Sequence, residues 1–129
     1  MKAALDELRV EYEGDGFELR AGRWGDMAVA RMTLSPGFDL APGFAVLPDG
    51  LCSGDHYGVV LDGDITLRYT DGSQETTRAG ECFYWPAGHT AFTDRGVVVV
   101  MVTPLAQIEH MEKLMAEAAG KAGNGSADG

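Results

Sequence analysis

The sequence predicts one all-β domain, an antiparallel sandwich or barrel, followed by a single C-terminal helix. Three observations predict it. Short strand-like runs (Tyr57–Leu61, Ile65–Tyr69, Cys82–Trp85, Thr90–Thr93, Val97–Val102) recur between turn signals about 8–12 residues apart. Eighteen glycines in 129 residues are about twice the average usage of roughly 7%, the excess that many tight turns require. After Thr103 the period changes, and Leu105, Ile108, Met111, Met115 and Ala118 fall on one helical face.

Taken in order, Ala3–Val10 is expected as a short helix. Phe17–Arg20 alternates apolar and polar residues, as does Met27–Leu34 more loosely, with Gly22 and Gly25 marking a turn between them. Ser35-Pro36-Gly37 through Ala41-Pro42-Gly43 reads as a loop. Asp62-Gly63-Asp64 separates two apolar runs and reads as a tight reversal, because glycine reaches positive φ without a steric penalty. Asp71-Gly72 and Ala79-Gly80 supply two more turns. Pro104 suits the first turn of the last helix, Thr103 can cap it, and Glu109 and Lys113 pair at i,i+4. Gly120 is its expected end. One domain over 1–119 follows, with a barrel at about 15–103 and the helix at about 104–119. The Gly/Ala/Ser/Asp-rich residues 120–129 are expected as a flexible tail.

Twenty acidic residues against ten basic ones give a formal charge of −10. Such a surface repels phosphate backbones, which argues against nucleic acid and anionic membrane as partners. The longest apolar run, Val97–Val102, is too short to span a bilayer, and Asp6 and Glu7 stand where a signal peptide would be apolar. The expected location is the cytoplasm, where Cys52 and Cys82 are expected as free thiols.

Val59-Val60-Leu61-Asp62-Gly63-Asp64 matches a V-L-x-G-x step, and Gly80, Pro86 and Gly88 fit G-x5-P-x-G-x2-H-x3-N. In that second motif Ala91 holds the histidine place, Arg95 the asparagine place, and His89 lies two residues early. With these features Gly43–Thr93 resembles the cupin family, small double-stranded β-helix barrels. The family's other motif, G-x5-H-x-H-x3 or 4-E-x6-G, is more altered. His56 stands at the glutamate place, and the two histidine places fall on Gly50 and Cys52, or on Asp49 and Leu51 with the longer spacing. A group of small cupins with a Cys-x-Cys-Pro-His-Trp-Gly segment is similar to Cys52–Gly58, with Gly54 in place of the second cysteine and Tyr57 in place of tryptophan. The resemblance implies a cupin double-stranded β-helix (jelly-roll-like) barrel with an interior site, assembled as a homodimer. Exposed edge strands give dimerisation a physical motive.

Cys52, His56 and His89 are the candidate polar centre. In a regular strand Cys52 and His56, four apart, share a face, and His89 shares parity with Ala91. A thiolate with two imidazoles suits a divalent transition metal such as zinc, iron, nickel or copper. The competing reading is a metal-free cavity in which both histidines are hydrogen-bonded and Cys52 is a small apolar filler. Tyr57, Tyr84, Trp85 and Phe92 are candidate pocket walls, with Phe83 and Trp24 nearby. Asp55 reads as a turn residue, and Glu81 as an exposed residue or, if inward, a carboxylate ligand. Two functions remain open: a module binding a small organic molecule, or an enzyme (oxygenase, isomerase or lyase) that is metal-dependent or uses His56 and His89 as acid and base.

Overall fold

A computed structural model describes residues 1–128, with side chains through residue 119. Its strands are β1 (Arg9–Gly14), β2 (Phe17–Trp24), β3 (Met27–Leu34), β4 (His56–Tyr69), β5 (Gln74–Arg78), β6 (Cys82–Trp85), β7 (His89–Phe92) and β8 (Val97–Pro104). Two helices accompany them, α1 (Ala41–Phe44) and α2 (Leu105–Asp128). All strand pairs are antiparallel. One wall of the barrel runs β1-β2-β3-β8-β4-β6, and the other places β5 and β7 on the far half of β4.

The alternation that predicts β3 and β8 is what builds the core. Val97, Val99, Met101 and Thr103 are buried, while Val98, Val100 and Val102 are partly exposed. From β3, Ala28, Ala30, Met32 and Leu34 meet them from the same wall. Val60, Ile65, Leu67 and Val99 are 0% exposed, and each such side chain contributes about 1.5–3 kcal/mol by leaving water.

Four expectations are corrected. Asp62-Gly63 is not a hairpin: β4 is one fourteen-residue strand that passes from wall to wall through a bulge at Leu61. Gly63, at φ +75, sits where the Gly96 carbonyl approaches so closely that a Cβ would lie 1.9 Å from its oxygen. Tight backbone packing, rather than chain reversal, is what requires glycine there. Ala3–Val10 is not a helix beyond a 3₁₀ turn at Leu5–Glu7, because the chain from Arg9 pairs with the edge of β2. Gly22 lies inside β2, leaving room for the Trp24 ring, and the turn falls at Gly25-Asp26. Finally, the α2 backbone runs past Gly120 to Asp128, since a glycine costs a helix only about 1 kcal/mol. The side chains of the expected tail, 120–129, and all of Gly129 lie outside the described residues.

Helix α2 covers the open end of the barrel with its apolar face, where Ile108, Met111 and Met115 line the cavity. Arg23 of β2 holds Glu11 of β1 at 2.7 Å and Glu112 of α2 at 2.9 Å. Asp55 and Gln107 form a reciprocal pair: the Asp55 backbone N–H donates to Gln107 Oε1 at 2.6 Å, and Gln107 Nε2 donates to Asp55 Oδ2 at 3.1 Å. No helix among the described residues is long and apolar enough to cross a membrane.

Candidate functional site

Three separate segments bring the candidate centre together. His56 opens β4 opposite Trp85 of β6. His89 opens β7 opposite Tyr69 at the other end of β4. Cys52 precedes β4 and forms an isolated antiparallel bridge with His89, its N–H donating to the His89 carbonyl at 2.7 Å. Bridge partners project to the same side, so the thiol and the imidazole face one another. The regular strand expected to carry Cys52 and His56 together is absent, yet their side chains converge: Cys52 Sγ lies 3.4 Å from His56 Nε2. One ligand atom from each of Cys52, His56 and His89 falls within 4.8 Å of the others.

The second nitrogen of each ring is engaged. His89 Nδ1 lies 2.7 Å from the Pro86 carbonyl, which only accepts, so the neutral ring carries its proton there and leaves Nε2 a bare lone pair. His56 Nδ1 lies 2.6 Å from Thr103 Oγ1, and when it donates to that hydroxyl its Nε2 also presents a lone pair. Outer partners of this kind orient imidazole ligands. Burial pushes the His56 pKa down to about 4, helped by His89 and opposed by Asp55. Burial also lowers His89, against the Pro86 bond and Asp55. The Cys52 thiol is pushed up to about 11, mainly by burial. Near neutral pH the centre therefore holds two neutral rings and a protonated thiol, a set that could hold a metal if the thiol gave up its proton.

In metal-free protein these directions set a pH dependence. The unfolded chain takes up a proton on His56 near pH 6.5, whereas the folded chain resists protonation down to about 4. This contribution is complete above pH 6.5 and lost between 6.5 and 4. Lowering the pH from 7 to 4.5 is expected to drop the melting temperature by about 5 °C or more, with a shallower slope in His56→Gln. Equal slopes in the two proteins would refute this assignment.

The centre opens onto a cavity of about 710 Å³. Ile65, Leu67 and Met32 line its interior, Leu40 and Phe44 one rim, and Ile108, Met111 and Met115 of α2 the cover. Trp85, 2% exposed, forms part of the wall beside His56. The other three expected pocket aromatics lie elsewhere. Tyr57 and Tyr84 are each 50% exposed and stack on one another outside the barrel at 4.8 Å between ring centres. Their neighbours His56 and Trp85 point inward, so alternation sends the tyrosines out. Phe92 is outside by the same rule, next to inward Ala91, with the Arg68 guanidinium 4.1 Å above its ring.

Asp55 acts as a clamp rather than a simple turn residue. Its Oδ1 accepts the Ala87 N–H at 2.9 Å and the Tyr84 hydroxyl at 3.2 Å, which with Gln107 hold its carboxyl below the usual carboxylate range. Glu81 is exposed and accepts the Arg78 N–H, so it is no ligand. Cys52 is buried and Cys82 exposed, both unpaired thiols. The sequence reading missed Thr103, whose hydroxyl meets His56 instead of capping α2. It also placed Met111 only on a helix face, although its Sδ comes within 3.6 Å of Cys52 Sγ.

An antiparallel jelly-roll barrel with histidines converging inside one end defines the class, and the comparisons agree on its fold. No family model and no curated protein matches the chain. Among solved structures it is similar to the polyketide cyclase RemF of Streptomyces resistomycificus, at TM-score 0.61 and 16% identity over 81% of this chain and 78% of that one. It is also similar to an RmlC-like cupin from Shewanella frigidimarina, at TM-score 0.57 and 15% identity over 79% and 87%. A third is a cupin-superfamily sugar phosphate isomerase from Silicibacter pomeroyi, at TM-score 0.55 and 20% identity over 81% and 75%. The chain has the cupin fold.

Proposed function

We propose that this protein is a small-molecule-binding cupin whose interior pocket carries a divalent transition-metal centre made by Cys52, His56 and His89. The observation that carries this reading is the convergence of three donors within 4.8 Å at the wall of a largely apolar cavity. Two of the three donors already stand at metal-ligand spacing. With bonds of about 2.0–2.3 Å, tetrahedral ligands lie roughly 3.3–3.8 Å apart, and the 3.4 Å between Cys52 Sγ and His56 Nε2 is in that range. A bound ion would supply a Lewis-acid anchor for an oxygen or nitrogen of the guest. The surrounding chain would exclude water and hold the apolar body of the guest, at a volume typical of small-molecule sites.

The test is metal analysis of protein purified without tag or chelator. About one equivalent is expected in the parent protein, and roughly a tenth of that or less in His56→Ala and His89→Ala. A metal-free parent that also stays empty when dialysed against zinc and against copper(I) would refute the centre. The enzymatic alternative draws support from the cyclase and the isomerase among the fold neighbours. Ligands that raise the melting temperature identify guests for either reading, and product formation from them selects the enzyme.

Two further parts of the proposal concern setting. Free thiols at Cys52 and Cys82 suit a reducing cytoplasm. A second copy is proposed to cover the outer face where Val98, Val100 and Val102 lie beside Tyr57 and Val59. Sedimentation is expected to give a dimer that Val100→Lys converts to monomer, and a monomeric parent protein would exclude it.

A further inference from the structure

We propose that Met111 is a fourth donor and that the centre is a copper site with a Cys-His-His-Met set, an inference that rests on the metal-centre reading above. Met111 Sδ lies 3.6 Å from Cys52 Sγ. Two sulfurs sharing one tetrahedral ion at about 2.3 Å each are separated by about 3.8 Å, so little movement is needed. Gly54 packs beside both the His56 ring and the thioether. A Cβ on Gly54 would lie 3.2 Å from His56 Cε1 and 3.6 Å from Met111 Sδ. Without one, the thioether and the imidazole approach across the same gap.

The helix is held where the thioether is presented. Gln107 is bonded to Asp55, one turn before Met111, and Glu112, the next residue, is bonded to Arg23. The same bonds remove the competing hard ligands. The Asp55 carboxylate is occupied by Ala87, Tyr84 and Gln107, and that of Glu112 by Arg23. Met111 as a mere filler of the cavity roof would require no particular position for its sulfur, yet the sulfur is the atom within hydrogen-bond reach of the thiol.

The consequence is metal choice. Zinc is satisfied by thiolate, imidazole and water and gains little from a thioether. Soft thiolate and thioether ligands together select copper(I). Met111 should therefore matter for copper and not for zinc.

The experiment loads reduced, tag-free protein with copper(I) under anaerobic competition with bicinchoninate, and in parallel with zinc. Met111→Leu, close in volume, is expected to weaken copper(I) binding about tenfold or more while zinc affinity stays within about twofold. Copper X-ray absorption on the parent protein, which needs no variant, is expected to show two sulfur ligands, falling to one in Met111→Leu. A single sulfur in the parent, or equal copper(I) affinity in both proteins, overturns the role of Met111 and leaves the three-donor centre standing. Failure of the parent to bind either metal overturns both.

Discussion

Gly63→Ala is expected to cost more than about 4 kcal/mol, a large share of the roughly 5–15 kcal/mol that keeps a domain folded. Two effects add. An L-residue at φ +75 loses about 1–2 kcal/mol against the preceding carbonyl, and the new methyl would sit 1.9 Å from the Gly96 oxygen and 2.9 Å from its carbon. That carbonyl cannot retreat easily. The Thr93 hydroxyl donates to the Asp64 carbonyl at 2.7 Å and accepts the Gly96 N–H at 2.9 Å, tying the turn before β8 to β4. Gly72→Ala supplies the internal control. Gly72 also has positive φ, +84, but a Cβ there meets nothing within 4 Å, so about 1–2 kcal/mol is expected. Urea denaturation of both variants separates conformational strain from steric contact. Equal losses in the two would mean that the approach of Gly96 to Gly63 carries no energetic weight.

Trp85→Ala is expected to destabilise by about 3–5 kcal/mol. The indole is 2% exposed, stacks on Phe83 with ring centres 3.6 Å apart, and donates its Nε1–H to Thr77 Oγ1 at 3.2 Å. Removing it opens a void continuous with the existing cavity and takes away the wall beside His56, so metal affinity should fall as well. Trp85→Phe keeps most of the apolar contact but leaves the buried Thr77 hydroxyl without its donor, for about 1–3 kcal/mol. Denaturant melts of metal-free protein order the three forms. An alanine variant no weaker than the phenylalanine one would show that packing contributes little at this position.

Much of the barrel could be read from the chain because its signals are local. The inward residues of β3 and β8 announce themselves by period-2 alternation, and His89 shares that period with Ala91, both buried. The same rule also excludes Tyr57, Tyr84 and Phe92 from the interior, because each adjoins an inward residue. Proximity in sequence suggested a shared pocket, and on a strand it means the opposite. Asp62-Gly63 was ambiguous for another reason. A glycine at positive φ serves a reversal and a bulge equally well, and only pairing with β8, more than thirty residues later, decides between them. The meeting of Cys52 with Met111 was beyond local reading, since it depends on how α2 docks across the barrel mouth.

The fourteen residues of β4 belong to both walls, pairing with β8 and β6 over its first half and with β5 and β7 over its second. Neither wall can peel away while the other persists, because each would have to tear the same strand from its neighbours. The barrel behaves as two pages bound to one spine, and its backbone amides on either page should exchange with solvent through a single shared opening.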